Sequence, residues 1–205
     1  MKKIFGLGAM LALLAIAPAM KASTITYTLT QDGCTGTCGT GPFGTIQLTD
    51  NGSGNSATVS VLLTLAGSEN FAGTGAGEAL AFNVNKAVTI NVATSGFSAG
   101  VGGTSASVFG SFTNFVHCDS PPCQGGNGPA GPLSFTVSSA TGVTIANFIA
   151  NSGGFFFASD IMGSNGNTGN VAAIGTTTTT PEPISSALVG GGLLSLFLLR
   201  RRARK

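Results

Sequence analysis

The chain has 205 residues, with 32 Gly, 14 Phe and no Trp, and only 8% of its residues are charged. Its central region, residues 23–180, holds six carboxylates against a single cation, Lys86, while every other Lys and Arg lies near one of the two ends. A nucleic-acid surface needs clustered Lys and Arg to neutralise phosphates, so this composition excludes nucleic-acid binding. The abundant Phe, Val and Ile also argue against disorder and predict one folded domain with a sizeable core.

The N-terminus has the order of a secretory signal peptide. Two lysines precede an apolar stretch at 4–17, and small residues follow, including Ala19 and Ala22. This order of charged, apolar and small residues predicts export and removal of the segment 1–22. Cleavage after Ala22 is favoured over cleavage after Ala19, because Pro18 would occupy the penultimate position of the alternative site.

Short runs that alternate polar and apolar residues recur through the predicted ectodomain, residues 23–175. A period of two, rich in Thr and Val and bounded by Gly, Pro and Asn, is typical of β-strands. About eight such strands at short spacing predict an all-β fold, a single β-sandwich or jelly-roll-like ectodomain. The predicted strands are 24–30, 45–49, 58–65, 79–84, 88–92, 105–115, 133–138 and 155–161.

One segment departs from this period. In 143–151, Ile145, Phe148 and Ile149 have helical spacing, Thr144 is suited to the N-cap, and two glycines follow. We expect one short helix or helical turn there. The three consecutive phenylalanines at 155–157 cannot all face one side of a strand, so at least one of them should leave the main core.

Four cysteines form two close pairs, Cys34 with Cys38 and Cys118 with Cys123. In an exported chain they are expected to be oxidised. Local pairing within each couple is favoured, because each couple brackets turn-forming residues, and each bridge would then add about 2 kcal/mol by loop entropy. A long-range pairing between the couples is the alternative.

A zinc site is the competing interpretation of the cysteines. His117, Cys118 and Cys123 lie close together in the sequence, but a fourth ligand would have to come from Cys34 or Cys38. Export favours disulfides, so we predict no metal or other cofactor and expect His117 to be a solvated loop residue.

Candidate catalytic groups are few. His117 is the only histidine, with Asp119 two residues away, and a carboxylate pair could be chosen only arbitrarily among the acids. The glycine-rich segment 73–77 is followed by neither a P-loop Lys nor a phosphate-binding helix. We therefore predict that the protein is not an enzyme.

Binding functions have limited support as well. Sugar rings stack on aromatic faces, yet the chain has no Trp and a single Tyr, Tyr27, inside a predicted strand. A calcium loop could start at Asp160 and use Ser164, Asn165, Asn167 and Asn170, but one carboxylate is little charge for such a site, and a Gly/Asn turn cluster is the simpler interpretation.

The C-terminus carries the strongest signal. After the Thr-rich linker 176–180 come Pro181, Glu182 and Pro183, and then an apolar run, 184–199, which as a helix would span about 24 Å of membrane. A basic stop signal places everything before it outside the cytoplasm. That signal consists of Arg200, Arg201, Arg202, Arg204 and Lys205.

This order resembles the PEP-CTERM sorting signal of Gram-negative bacteria, over the segment 181–205. The resemblance implies recognition by an exosortase, with cleavage at or near the Pro-Glu-Pro motif after a transient stay in the inner membrane. It also implies an association with exopolysaccharide or biofilm. An ordinary C-terminal membrane anchor is the alternative.

Together these features predict a non-enzymatic protein exported across the inner membrane to the cell surface or extracellular matrix. A carbohydrate- or calcium-binding adhesion module that tethers polysaccharide is the alternative function.

Overall fold

The chain forms antiparallel β-structure almost throughout the residues that the computed structural model describes, which are 23–74, 78–100, 102–123, 127–175 and 178–181. Ala22–Thr180 form one compact unit. The predicted signal peptide and the apolar run 184–199 lie outside the described residues. The strands are β1 Ser23–Leu29, β2 Gln31–Cys34, β3 Gly44–Asn51, β4 Thr58–Leu65, β5 Asn70–Phe71, β6 Glu78–Val84, β7 Thr89–Val92, β8 Phe97–Ala99, β9 Thr104–Ser105, β10 Ser111–Phe112, β11 Asn114–Cys118, β12 Leu133–Ser138, β13 Phe148–Ile149, β14 Phe157–Met162, β15 Thr168–Ala173 and β16 Thr178–Pro181.

A six-stranded sheet has the order β16-β1-β3-β4-β12-β7. Burial alternates along β3, where Ile46 and Leu48 are buried while Thr45 and Gln47 are exposed. β4 shows the same alternation along its eight residues. Because side chains of a strand point to opposite faces in turn, one face of this sheet packs on the core and the other meets solvent.

The second sheet has the order β2-β15-β14-β6-β11-β8, with β5 added to β14 and β13 added to β6. Its central strand β6 is buried at every one of its seven positions. Both faces of the sheet are therefore covered at its centre, one by the six-stranded sheet and the other by a smaller layer.

The main core lies between the two sheets and draws on both. Tyr27 from β1, Phe135 from β12, and Phe82 and Phe157 from β6 and β14 belong to one buried cluster. The Phe82 and Phe135 rings stack with centroids 5.6 Å apart, and the Tyr27 ring meets Phe157 edge-on at 4.9 Å. Such rings dominate core energetics because each buries a large apolar area.

The smaller layer is formed by residues 102–113, which we call the cover segment. It contains β9, a short 3-10 helix at Ser107–Phe109, and β10, and its Phe109 and Phe112 pack on alanines of β6, β14 and β15. A Cβ at Gly33 of β2 would lie 2.7 Å from Val108 Cγ2, so the close approach of the cover segment requires a glycine there.

The all-β prediction is confirmed, and several strand boundaries agree closely. The segments 58–65 and 133–138 are identical to β4 and β12. The predicted strand 105–115 is wrong, because this stretch leaves the sheet as the cover segment and rejoins it only at Asn114. One of the three phenylalanines does leave the main core, since Phe155 packs against the cluster that contains Phe109 and Phe112 of the cover segment.

The predicted helix at 143–151 is reduced to a single 3-10 turn, Ile145–Asn147. Thr144 caps this turn as expected, and its N–H donates to Asn147 Oδ1 at 2.9 Å. The helix stops there because Phe148 and Ile149 pair with β6, where Phe148 is buried in the main core. Sheet pairing and burial thus override the helical spacing.

The described residues contain no helix that is long and apolar enough to cross a membrane.

Candidate functional site

The predicted sorting residues fall almost entirely outside the described part of the chain. This applies to Ala22, Glu182, Pro183 and the basic tail. Pro181 is the last residue of β16, which neighbours β1 at the edge of the six-stranded sheet. Part of the predicted linker is therefore strand.

Both cysteine couples are paired locally. Cys34 bonds to Cys38 and Cys118 to Cys123, with Cα–Cα distances of 5.5 and 5.7 Å. The local pairing is confirmed, and the long-range alternative is wrong. Because all four sulfurs are joined in pairs, they cannot serve as the thiolate ligands that the zinc alternative requires.

The carboxylate of Asp32 braces the first disulfide loop. Its Oδ1 accepts a hydrogen bond from the Cys34 N–H and its Oδ2 one from the Cys38 N–H, both at 2.9 Å. Asp32 and the two sulfurs lie within 4.8 Å of one another, as metal ligands would. The disulfide and the two backbone donors account for this proximity, so the group is a loop brace.

His117 lies in a strand and not in a solvated loop, which corrects that prediction. It is half-buried in β11, opposite Glu78 of β6 on one side and Ser98 of β8 on the other. Asp119, its presumed partner from sequence, instead accepts a hydrogen bond from Ser98 Oγ at 2.6 Å. The strand register thus places His117 opposite Glu78, a neighbour that sequence proximity did not suggest.

Asp160 is a buried carboxylate, 1% exposed, in the middle of β14. Thr74 holds it twice: the Thr74 N–H donates to Oδ2 at 2.9 Å, and the Thr74 hydroxyl donates at 3.0 Å. Burial, with a smaller contribution from the nearby Glu78 charge, raises the pKa of Asp160 to about 6 despite the two hydrogen bonds that oppose the shift.

Glu78 is the second acid of this region and is 4% exposed. It accepts a hydrogen bond from the hydroxyl of Thr104, which belongs to the cover segment. Thr74 from a loop and Thr104 from β9 therefore hold the two buried acids, and the cover segment closes over Glu78. Neither carboxylate faces solvent where a substrate could reach it.

Glu69 is the third buried acid. Its side chain is 7% exposed, and its Oε2 has no hydrogen-bond partner among the described residues. Burial raises the pKa of Glu69, which disfavours its charged form.

The structure does not gather the residues of the candidate calcium loop around one point. Asp160 and Asn170 face each other in the β14–β15 hairpin, and only the residues between these strands form the turn. The side-chain amides of Asn165 and Asn167 donate to the carbonyl oxygen of Thr37 at 3.0 and 2.8 Å. They brace the turn to the first disulfide loop.

The outer face of the six-stranded sheet is a further candidate surface, and no single motif of the sequence indicates it. We call it the open face. All its members except Leu62 carry a hydroxyl or an amide, and none is ionisable. The open face consists of Thr24, Thr26, Thr28, Thr45, Gln47, Thr49, Asn51, Thr58, Ser60, Leu62, Thr64, Thr89, Asn91, Ser134, Thr136 and Ser138.

Strand register arranges these side chains in ranks across the sheet. One rank contains Thr28, Thr45 and Thr64 on three adjacent strands. The longest rank runs over five strands, through Thr24, Thr49, Ser60, Thr136 and Asn91. Neighbouring strands lie about 4.8 Å apart and every second residue of a strand about 6.8 Å apart, so the open face is a regular array of hydrogen-bonding groups.

Hydrogen bonds within the face fix some of its side chains. The Thr24 and Thr49 hydroxyls lie 3.3 Å apart, and Asn51 Nδ2 donates to Ser60 Oγ at 2.6 Å. The signal that could have revealed the face is the polar residue at every second position, Thr at 24, 26 and 28 and Thr, Gln and Thr at 45, 47 and 49, combined with the assignment of these runs to adjacent strands.

No family model matches the chain, and no curated protein or solved structure is found to be similar to it.

Proposed function

We propose that this is a non-enzymatic protein exported across the inner membrane and delivered to the cell surface or the extracellular matrix. In this proposal an exosortase recognises the segment 181–205 while its apolar helix spans the inner membrane, and cleaves at or near Pro181–Pro183. The mature body is a β-sandwich of jelly-roll type, and its setting is an exopolysaccharide matrix or biofilm.

The observation that carries the proposal is the combination of C-terminal signal and oxidised domain. The Pro-Glu-Pro motif, the apolar run 184–199 and the basic tail follow one another without a gap. The domain before them holds two disulfides and no free cysteine, which is the chemistry of an oxidising compartment. Export and sorting explain both features together.

The absence of an enzymatic role rests on how the acids are used. Asp160 and Glu78 are buried and held by threonines, and Asp32 braces a loop. Asp50 accepts the backbone N–H of Ile145 at 2.7 Å and so anchors the 3-10 turn. Each of these carboxylates has a structural task, and Asp160 and Glu78 are shielded from solvent.

Mass spectrometry of the C-terminus tests the proposal. The protein is recovered from membrane, surface and medium fractions of the cells that make it. We expect a mature C-terminus within or next to Pro181–Pro183, and a full-length form only in the membrane fraction. Recovery of Arg204 and Lys205 in the surface-exposed form would show a permanent anchor and refute exosortase processing.

A motif variant sharpens this test. Replacement of Pro181 and Pro183 by Ala should leave the full-length chain in the membrane fraction. Thr141→Ala, in an exposed turn far along the chain from the motif, is the matched control and should be processed normally. Normal processing of the double proline variant would contradict the assigned role of the motif.

A further inference from the structure

The charges of the domain are segregated away from the open face. The region 23–180 carries six acids and one lysine, and all of them lie in the second sheet, in loops or at the sheet ends, as with Asp50 against the 3-10 turn and Lys86 against the Gly142 carbonyl. Five adjacent strands thus present a continuous surface with no ionisable side chain, on a domain whose net charge is negative. A surface that serves only solubility would be expected to share these charges.

The composition of the open face disfavours a protein partner. Interfaces between proteins have apolar centres rich in Tyr, Trp, Phe, Met and Arg. The open face holds none of these residues, and its only apolar side chain, Leu62, is 38% exposed. The single tyrosine, Tyr27, points the other way into the core.

The same composition favours an uncharged polymer over an anionic one as the ligand of the open face. An anionic polymer would need cations to offset the repulsion from a negatively charged domain, and the face offers none. A neutral polysaccharide carries hydroxyls that both donate and accept hydrogen bonds, repeated at every sugar. Threonine, serine and amide side chains in regular ranks are the matching partner, since they also donate and accept without charge.

We propose that the open face binds an uncharged, extended polysaccharide chain laid across its ranks of threonines. The contact is made by hydroxyls and amides and not by stacking on aromatic rings, because the face has no ring to offer. Each hydroxyl contact exchanges a hydrogen bond to water for one to sugar and contributes little. Binding therefore depends on many contacts along one polymer, and short oligosaccharides bind weakly.

This inference deepens the proposed extracellular role and rests on it for the setting in which such a polymer is met. It adds a location on the molecule and a chemical class of ligand. It also separates the two sheets by task, because among the described residues the six-stranded sheet leaves one face open across five strands, whereas the second sheet is covered at its centre.

The test is a co-sedimentation assay with the protein purified from the exporting cells. Amorphous cellulose is the neutral insoluble probe, calcium-crosslinked alginate gel beads are the anionic probe, and binding is measured with and without added soluble dextran as a neutral competitor. We expect binding to cellulose that is relieved by high concentrations of dextran, and none to alginate.

A triple variant places the binding on the open face. Thr45→Val, Thr64→Val and Thr136→Val remove three exposed or half-exposed hydroxyls while keeping side-chain shape and strand preference. Binding to cellulose should weaken roughly tenfold or more. The matched control carries Thr35→Val, Thr141→Val and Thr168→Val, which lie off the face, and should bind as the wild type does.

A second variant tests the proposal independently, in case the triple variant loses binding because it misfolds. Gln47→Lys adds a charge and a longer side chain near the centre of the face, next to Thr26 and Leu62 on the adjacent strands. Its unfolding midpoint should match that of the wild type, and its binding should still fall. Wild-type-like binding by both variants would overturn the proposal, as would binding to alginate alone or to neither polymer.

The two proposals fail separately. A processed C-terminus combined with no polysaccharide binding removes the ligand assignment and leaves the sorting role. Binding through the open face by a protein that keeps its C-terminal residues removes the exosortase and leaves the ligand assignment.

Discussion

The outer faces of the two sheets differ in how far they are exposed to solvent. The six-stranded sheet leaves its outer face to solvent and furnishes it with threonines, whereas the second sheet is covered by residues 102–113. Phe109 and Phe112 of this cover segment pack on small alanines of the sheet, and Thr104 of the same segment holds the buried Glu78. The difference shows which polar groups this domain exposes. The open face carries hydroxyls and amides, whereas the carboxylates of Glu78 and Asp160 are buried in the second sheet.

The largest expected effect concerns the cover itself. Phe112→Ala removes a ring that is 1% exposed and should lower the free energy of unfolding by about 3–5 kcal/mol. Thr64→Ala on the open face should change it by less than about 0.5 kcal/mol. Urea unfolding followed by fluorescence of Tyr27 or by circular dichroism measures both. Equal losses in the two variants would contradict the distinction between a covered and an open face.

Asp160, the buried acid held by Thr74, predicts a pH dependence of the domain's stability. The pKa of Asp160 is raised from 3.8 to about 6, so the native state binds more protons than the unfolded state between these values. The free energy of unfolding therefore falls as pH rises through this window, by at most about 3 kcal/mol, and the loss is complete above it.

Asp160→Asn tests this dependence. The amide keeps the shape and can still pair with Thr74, but it does not ionise, so the variant should lose less stability than the wild type between pH 4 and pH 7. Glu78→Gln is the companion variant, because removal of the neighbouring charge should move the transition of Asp160 to lower pH. Parallel pH profiles for the wild type and Asp160→Asn would show that Asp160 does not titrate in this range.

A smaller effect is expected when the same substitution, Thr to Val, is made on the cover segment and on the open face. Thr104→Val removes the hydroxyl that donates to the buried Glu78 and should cost about 1–2 kcal/mol. Thr64→Val on the open face should be nearly neutral. The unfolding midpoints of the two variants, measured above pH 7, give the comparison. A neutral Thr104→Val would mean that the cover segment is not tied to the acid.

The open sheet was predictable from sequence, and the reason is visible in its strands. Thr58–Leu65 and Leu133–Ser138 alternate because one of their faces meets water, and both were predicted to the residue. Prediction of the open face would also require the pairing of these runs with their neighbouring strands, because alternation alone indicates which residues point outward.

The covered sheet was predicted less well, because burial on both faces removes alternation. Thr168–Ala173 forms β15 although Gly169 and Asn170 are typical of turns, and it is held between β14 and β2. The hydrogen bonds from Thr74 to Asp160 and from Thr104 to Glu78 join residues distant in sequence. Such contacts follow from the path of the cover segment and of the loop before β6, which no local pattern encodes.

Two exposed aliphatic side chains allow the central claim to be tested directly. Leu62 lies on the open face and is 38% exposed, and Val108 lies on the cover segment of the opposite sheet and is 70% exposed. Hydroxyl-radical footprinting compares the free protein with the protein bound to amorphous cellulose. The account predicts that binding protects Leu62 from oxidation and leaves Val108 unchanged. Protection of Val108 alone, or of neither residue, would contradict the assignment of the open face as the polysaccharide-binding surface.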